Sequence, residues 1–187
     1  MPFFQNMRFQ EGVSIMPGVS SKLLLYSLLV LAAIFTFYAC EAQSPPATQG
    51  ETLSGRRIVL AEAVRGRPAV LIVGFSRDAG DGCGAWSRAV RNDPALAKVA
   101  VYQVAILEQA PGFVRGMIKS SMRKGISPSE QDEFVVLVQD EKLWRSYFGV
   151  TAEKEPYVEF LDASGQIRWH GHGEARDLEP QLRAAKP

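Results

Sequence analysis

The chain has 187 residues, 47% of them hydrophobic and 22% charged, with 21 lysines and arginines against 20 aspartates and glutamates. That length holds one domain with a sizeable core plus an N-terminal appendage. The near-balance of charge excludes a global field that would draw nucleic acid or another polyanion, so no nucleic-acid partner is expected, and two cysteines are too few for a disulfide-rich scaffold.

In chain order, Lys22 is followed by an uncharged, mostly apolar run from Leu23 to Ala39, then Cys40 and the polar stretch Glu41, Ala42, Gln43, Ser44, Pro45, Pro46. A positive residue, an apolar run, small residues and a polar linker form the order of an export signal. Three readings stay open. Cleavage after Ala42 would remove the run together with Cys40. Lipidation of Cys40 would use Ala39 as the preceding small residue, although Phe37 and Tyr38 fit a lipobox poorly. Retention would make the run an anchor, at the lower limit of the about 17–25 residues that span a bilayer. Met7 and Met16 are alternative starts. Residues 1–42 are therefore expected to be a signal peptide or membrane anchor, 43–52 a polar linker and 53–187 the folded domain. The expected location is the cell envelope, membrane-anchored or exported to the periplasmic face.

Beyond Leu53 the chain alternates strand-like and helix-like segments. Arg57–Ala61 is short and β-branched. Ala69–Phe75 (AVLIVGF) is a continuous apolar run, as expected of a strand buried on both faces. The loop Ser76–Gly84 leads to a helix carrying Trp86, Ala89 and Val90 at helical spacing. Asp93 and Pro94 read as the cap and first-turn proline of a restarted helix. Val99–Leu107 is the next strand. Gly112–Lys124 is an amphipathic helix with Phe113, Val114, Met117, Ile118 and Met122 on one face and Arg115, Lys119 and Arg123 on the other. Phe134–Gln139 follows as a strand and Lys142–Phe148 as a short helix with Leu143, Trp144, Tyr147 and Phe148 inward. Tyr157–Asp162 and Gln166–His170 form a hairpin around Ala163-Ser164-Gly165. Asp177–Ala184 is a final helix with Leu178 and Leu182 four apart. Alternating strands and helices imply a parallel core, and the hairpin adds an antiparallel edge.

Residues 53–75 (LSGRRIVLAEAVRGRPAVLIVGF) resemble the opening of redoxin and thioredoxin-like domains. Residues 113–178 are more telling. Their helix, then KGISPSEQDEFVVLVQD, LWRSYFGV and YVEFLDASGQIRWHGHGEA, resemble the mitochondrial ATPase-complex subunit ten family. The strongest match is GQIRWHGHGEA, Gly165 to Ala175. The resemblance implies an α/β thioredoxin-like fold, a central mixed sheet with flanking helices. It also implies the role of an assembly factor for the membrane sector of ATP synthase, hence a protein partner and a membrane complex. Two features depart from the family pattern: Pro156, which fits thioredoxins better, and the export-like N-terminus, which suggests a bacterial envelope. In a thioredoxin fold Pro156 would be cis, and X-Pro bonds are the ones that permit it; the alternative is a plain strand-start proline.

Cys83 lies where a thioredoxin places its active cysteine, after the first core strand and at the start of a helix. A helix N-terminus favours a thiolate, and Arg77 and Arg88 could add to this. The pattern, however, is Cys83-Gly84-Ala85-Trp86, without the second cysteine that disulfide exchange needs. A one-cysteine peroxidase would carry proline and threonine ahead of the cysteine, whereas Arg77 to Gly82 stand here. Cys83 is either a catalytic thiol of a peroxidase or reductase or a leftover at an ancestral site. His170 and His172 face one side of a strand and could join Cys83 in a copper or zinc site, or be ordinary surface residues. The basic stripe Arg115, Lys119, Arg123 and Lys124 is read as a solvated helix face, with contact to anionic lipid or an acidic partner as the alternative. No phosphate loop or catalytic triad stands out, and no cofactor is expected. The reading that results is a non-enzymatic, protein-binding envelope protein; the alternative is a thiol-dependent redoxin using Cys83.

Overall fold

In the computed structural model, which describes residues 44–185, the apolar run Ala69–Gly74 forms β3 and is buried along its whole length. A strand can lose water on both faces only inside a sheet covered on both sides. β3 meets that condition. It pairs in parallel with β4 (Ala100–Ile106) and antiparallel with β6 (Tyr157–Leu161). β4 pairs in parallel with β5 (Phe134–Leu137), and β6 pairs antiparallel with β7 (Ile167–His172). On the far side β5 pairs antiparallel with β1 (Gln49–Thr52), which turns back on β2 (Arg57–Val59). The seven strands run β2-β1-β5-β4-β3-β6-β7. This is the expected thioredoxin-like α/β arrangement of a mixed sheet with flanking helices.

Alternation along the strands divides the core in two. On one face Leu71, Val73, Tyr102 and Val104 pack with Leu60 and Val64 and with Trp144, Tyr147 and Phe148. These come from α1 (Leu60–Ala63) with its C-terminal neighbour, and from α4 (Glu141–Phe148). On the other face Val70, Ile72, Val101 and Phe160 pack with Cys83, Trp86 and Val90 of α2 (Gly80–Asn92) and with Leu182 of α5 (Ala175–Ala184). Between β4 and β5 runs α3 (Gly112–Gly125). Asp93 caps the short turn Pro94–Leu96, its carboxylate accepting the Ala95 N–H at 2.8 Å.

Three local expectations are corrected. Gln49–Thr52, placed in the linker, is β1; its sequence QGET has no apolar alternation, and pairing to β5 and β2 makes it a strand. The strand expected over Arg57–Ala61 stops at Val59 and becomes α1, because Leu60 folds back into the core beneath the sheet. Leu143, expected inward, is 53% exposed, whereas Trp144 is fully buried and donates its indole N–H to Thr48 Oγ1 at 3.0 Å.

Among the described residues the most deeply buried carboxyl side chain is that of Glu159. Glu159 of β6 is 2% exposed, and its bonding partner is the Tyr147 hydroxyl at 2.9 Å. Burial pushes its pKa up to about 7, opposed by the Tyr147 hydrogen bond. The folded state therefore holds the proton more tightly than the unfolded chain does. The contribution of Glu159 to stability is complete below the ordinary carboxylate range and is lost as pH rises through about 7. The unfolding midpoint should accordingly fall between pH 5 and pH 8 in the native protein, and Glu159→Gln should flatten that dependence. A Gln variant with the same pH slope would show that another group controls it; thermal unfolding across this pH range makes the comparison.

Candidate functional site

At the carboxyl end of β3 the chain must turn sharply into α2, and Ser76 organises the turn. Its hydroxyl donates to the Glu153 carbonyl at 2.7 Å and accepts the Ala79 N–H at 3.3 Å. α2 then starts at Gly80, and Cys83 falls in its first turn with its N–H bonded to the Ala79 carbonyl at 2.9 Å. The position is the expected one, but the environment is not that of an activated thiol. Cys83 is 8% exposed, and burial pushes its pKa up to about 12, against the opposing pull of a backbone hydrogen bond. Desolvation penalises the thiolate more than the helix end favours it. Neither Arg77 nor Arg88 forms a hydrogen bond to it among the described residues. No second cysteine stands within the described residues, and Cys40, like the expected signal or anchor, lies outside them.

Pro156 does face this turn. A Cβ added to Gly82 would come within 2.9 Å of the Pro156 ring, so the glycine is what lets α2 approach the proline. Of the two readings of Pro156, the described residues show the plain strand-start proline, with no cis peptide bond among them. The chain reaches Pro156 through the turn closed by Glu155 N–H on the Ala152 carbonyl at 3.1 Å and needs no tight cis turn there.

Of the two readings of the histidines, the metal grouping is not met, since the described structure does not bring them to Cys83. β7 alternates, with Ile167, Trp169 and Gly171 half-buried and Arg168, His170 and His172 exposed. Trp169 packs near Trp86 on the Cys83 face, so the histidines occupy the opposite face of the sheet. His172 stacks on Tyr157, with Nδ1 2.6 Å from Glu155 Oε2. Among the described residues no three His, Cys, Asp or Glu side chains gather to hold a metal.

The arrangement that sequence reasoning missed is the setting of α3. The helix contains four basic residues and no acidic one, and none of its residues is buried. Its basic side, read as solvated, is the side that holds the domain. Arg115 donates to the carbonyls of Ala110 (2.8 Å) and Glu108 (2.7 Å). Lys119 donates to Glu51 at 2.5 Å, and Arg123 to the Leu53 carbonyl at 2.7 Å. The apolar side is left to line a cavity of about 630 Å³ between α3 and the carboxyl ends of β3 and β4. Val114, Met117, Ile118 and Met122 form its wall, with Cys83 and Gln103 among the residues opposite. Gln103 is buried, and its Nε2 donates to the Cys83 carbonyl at a long 3.4 Å. On the same helix Phe113 is 87% and Met117 71% exposed. The sequence did hold a signal: a helix without acids offers its cations no partner within the helix, so any ion pair they make is to another part of the domain.

Residues 29–184 match the family described as ATP10 protein. Among solved structures, the thioredoxin domain of a thiol-disulfide oxidoreductase from Bacteroides vulgatus is 15% identical. It superimposes with a TM-score of 0.53, covering 78% of this chain and 96% of that one. A protein assigned as thiol:disulfide interchange protein DsbE from Chlorobium tepidum is also 15% identical, with a TM-score of 0.52 and coverage of 78% and 97%. At that identity the likeness concerns the fold alone. No curated protein matches the sequence.

The enclosure of Cys83 has a direct chemical consequence. At pH 8 a thiol with a pKa near 12 is almost wholly protonated, and the protonated form is not the nucleophile. Alkylation of Cys83 by iodoacetamide in the folded protein should be at least about a hundredfold slower than that of an unhindered cysteine, which titrates near ~8.5. Labelling at the rate of an exposed thiol would show that the thiol is open and activated; mass spectrometry of the Cys83 peptide over time reads the rate.

Proposed function

The chain belongs to the ATP10 protein family, and from that premise we propose that it is a non-enzymatic assembly factor that binds a polypeptide of the ATP synthase membrane sector. In this reading the protein works at the cell envelope, tethered or exported through its N-terminal apolar run. Three supports stand behind the reading: the family, the export-like order of residues 22–46, and the condition of Cys83.

Cys83 carries the argument against catalysis. A thiol that attacks a disulfide forms a mixed disulfide, which a second thiol must then release. A thiol oxidised by peroxide becomes a sulfenic acid with the same need. The described domain offers no second thiol, and Cys83 itself is enclosed and held protonated. The fold is that of proteins that exchange disulfides, but function resides in the site and not in the fold.

The test is genetic. In a strain lacking the gene, Cys83→Ser at native abundance should restore ATP synthase membrane-sector assembly, read on native gels, to the level given by the unaltered gene. Failure of Cys83→Ser to rescue at equal abundance would overturn the reading and put the thiol-dependent redoxin, resolved by an external thiol, in its place.

A further inference from the structure

We propose that the cavity between α3 and the sheet is a binding site for a single-chain amphiphile with a carboxylate head, a long-chain fatty acid. The proposal goes beyond the polypeptide-binding role above and does not depend on it. Protein interiors are close-packed, with few voids larger than a water molecule. A space of about 630 Å³ is therefore no packing defect. It falls within the range of small-molecule sites, about 300–1,000 Å³.

The lining sets the shape of the occupant. On α3, Val114, Met117, Ile118 and Met122 form one stripe that faces the sheet across the cavity. From Val114 to Met122 the helix rises about 12 Å at ~1.5 Å per residue. α3 follows the end of β4 and returns toward the start of β5, so Val114 lies toward the carboxyl ends of the strands and Met122 toward the start of β5. Two bonds fix that second end: Arg123 donates to the Leu53 carbonyl at 2.7 Å, and the Leu53 N–H donates to the Phe134 carbonyl at 2.9 Å. Phe134, the first residue of β5, lines the cavity there. The space is therefore longer than one side chain and apolar along its helix wall.

Charge stands at one end alone. Arg77, on the turn after β3, is the single charged residue lining the cavity among the described residues. Its side chain is exposed and makes no ion pair or hydrogen bond among the described residues, whereas the adjacent Asp78 is engaged by Lys154 at 3.3 Å. A guanidinium takes a carboxylate through paired N–H donors. One cation matches a monoanion; a phosphate group, with its charge near −2, would call for more cations than this lining holds. The walls suit a flexible tail. Met117 and Met122 are unbranched and polarizable and adapt to irregular apolar shapes, and an enclosed free cysteine such as Cys83 acts as a small hydrophobe. Met117 is 71% exposed although it lines the cavity, so a ligand reaches the site from solvent.

Photolabelling of the full-length protein in amphipol provides the test, with a palmitic acid that carries a mid-chain diazirine as the probe. Mass spectrometry of the cross-linked peptides should show saturable labelling within residues 112–125. Excess palmitic acid should suppress it. Methyl palmitate and lysophosphatidylcholine, which carry the tail without a free carboxylate, should not. Arg77→Ala should raise the half-saturating concentration of the acid at least about tenfold and leave the weak labelling by the diazirine methyl ester unchanged. Ile118→Trp, which fills the space, should abolish labelling while the circular dichroism stays native. Labelling that does not saturate, or that falls only on the run Leu23–Ala39, overturns the proposal. So does equal suppression by the uncharged or phosphate-bearing competitors, or an unaltered half-saturating concentration in Arg77→Ala.

Discussion

Lys119 and Arg123 reach across 68 and 70 residues of sequence to Glu51 and to the Leu53 carbonyl, and Arg115 closes on the Glu108–Ala110 loop. These tethers decide how α3 is turned, and the orientation of α3 decides what the site is. Charge-assisted bonds to partly covered acceptors are worth about 1 kcal/mol each, more than a fully exposed pair. They fix the rotation of the helix, and its apolar side faces the sheet across the cavity lined by Val114, Met117, Ile118 and Met122.

The rest of the domain makes that outcome affordable. The two packed cores, on either face of β3, β4 and β6, are complete without any residue of α3. Trp86 and Trp144, one on each face, are fully buried and have their indole N–H groups satisfied, by the Gly173 carbonyl and by Thr48. The same division of faces separates Cys83 from His170 and His172. A site that thioredoxins use for thiol chemistry is here a closed position beside a cavity: Pro156 and Gly82 still meet, yet the thiol is held protonated by its burial.

Much of the frame was legible in the residues. The uniform apolarity of Ala69–Gly74 identified a strand buried on both faces, and the hairpin turn around Ser164 and the helical spacing of Trp86 and Val90 placed their elements correctly. These features depend on local periodicity, which a sequence displays directly. The features that escaped depend on distant partners. β1 has no pattern of its own and is a strand because β5 and β2 flank it. Leu143 turns outward because its neighbour Trp144 fills the space beneath α4. α3 was recognised with its boundaries and its two stripes, but amphipathicity says only that two faces differ. Which face meets the domain was settled by Glu51, Leu53 and the Glu108–Ala110 loop, none of them near the helix in a way its own sequence reveals. Family resemblance supplied the fold and the kinship; the cavity came from the geometry.

Hydrogen exchange of the α3 amides tests the central claim, that cationic tethers and not apolar packing hold this helix. Two double variants of the full chain suffice, Lys119→Ala/Arg123→Ala and Ile118→Ala/Met122→Ala, with alanine keeping helix propensity high in both. The account predicts that removing the cations speeds exchange in α3 at least about tenfold while the amides of β3 and β4 stay protected. It predicts that trimming the apolar side changes α3 exchange little. The reverse pattern, with protection kept without the cations and lost with the apolar side chains, would contradict it, because the helix would then be packed on the sheet and the cavity closed.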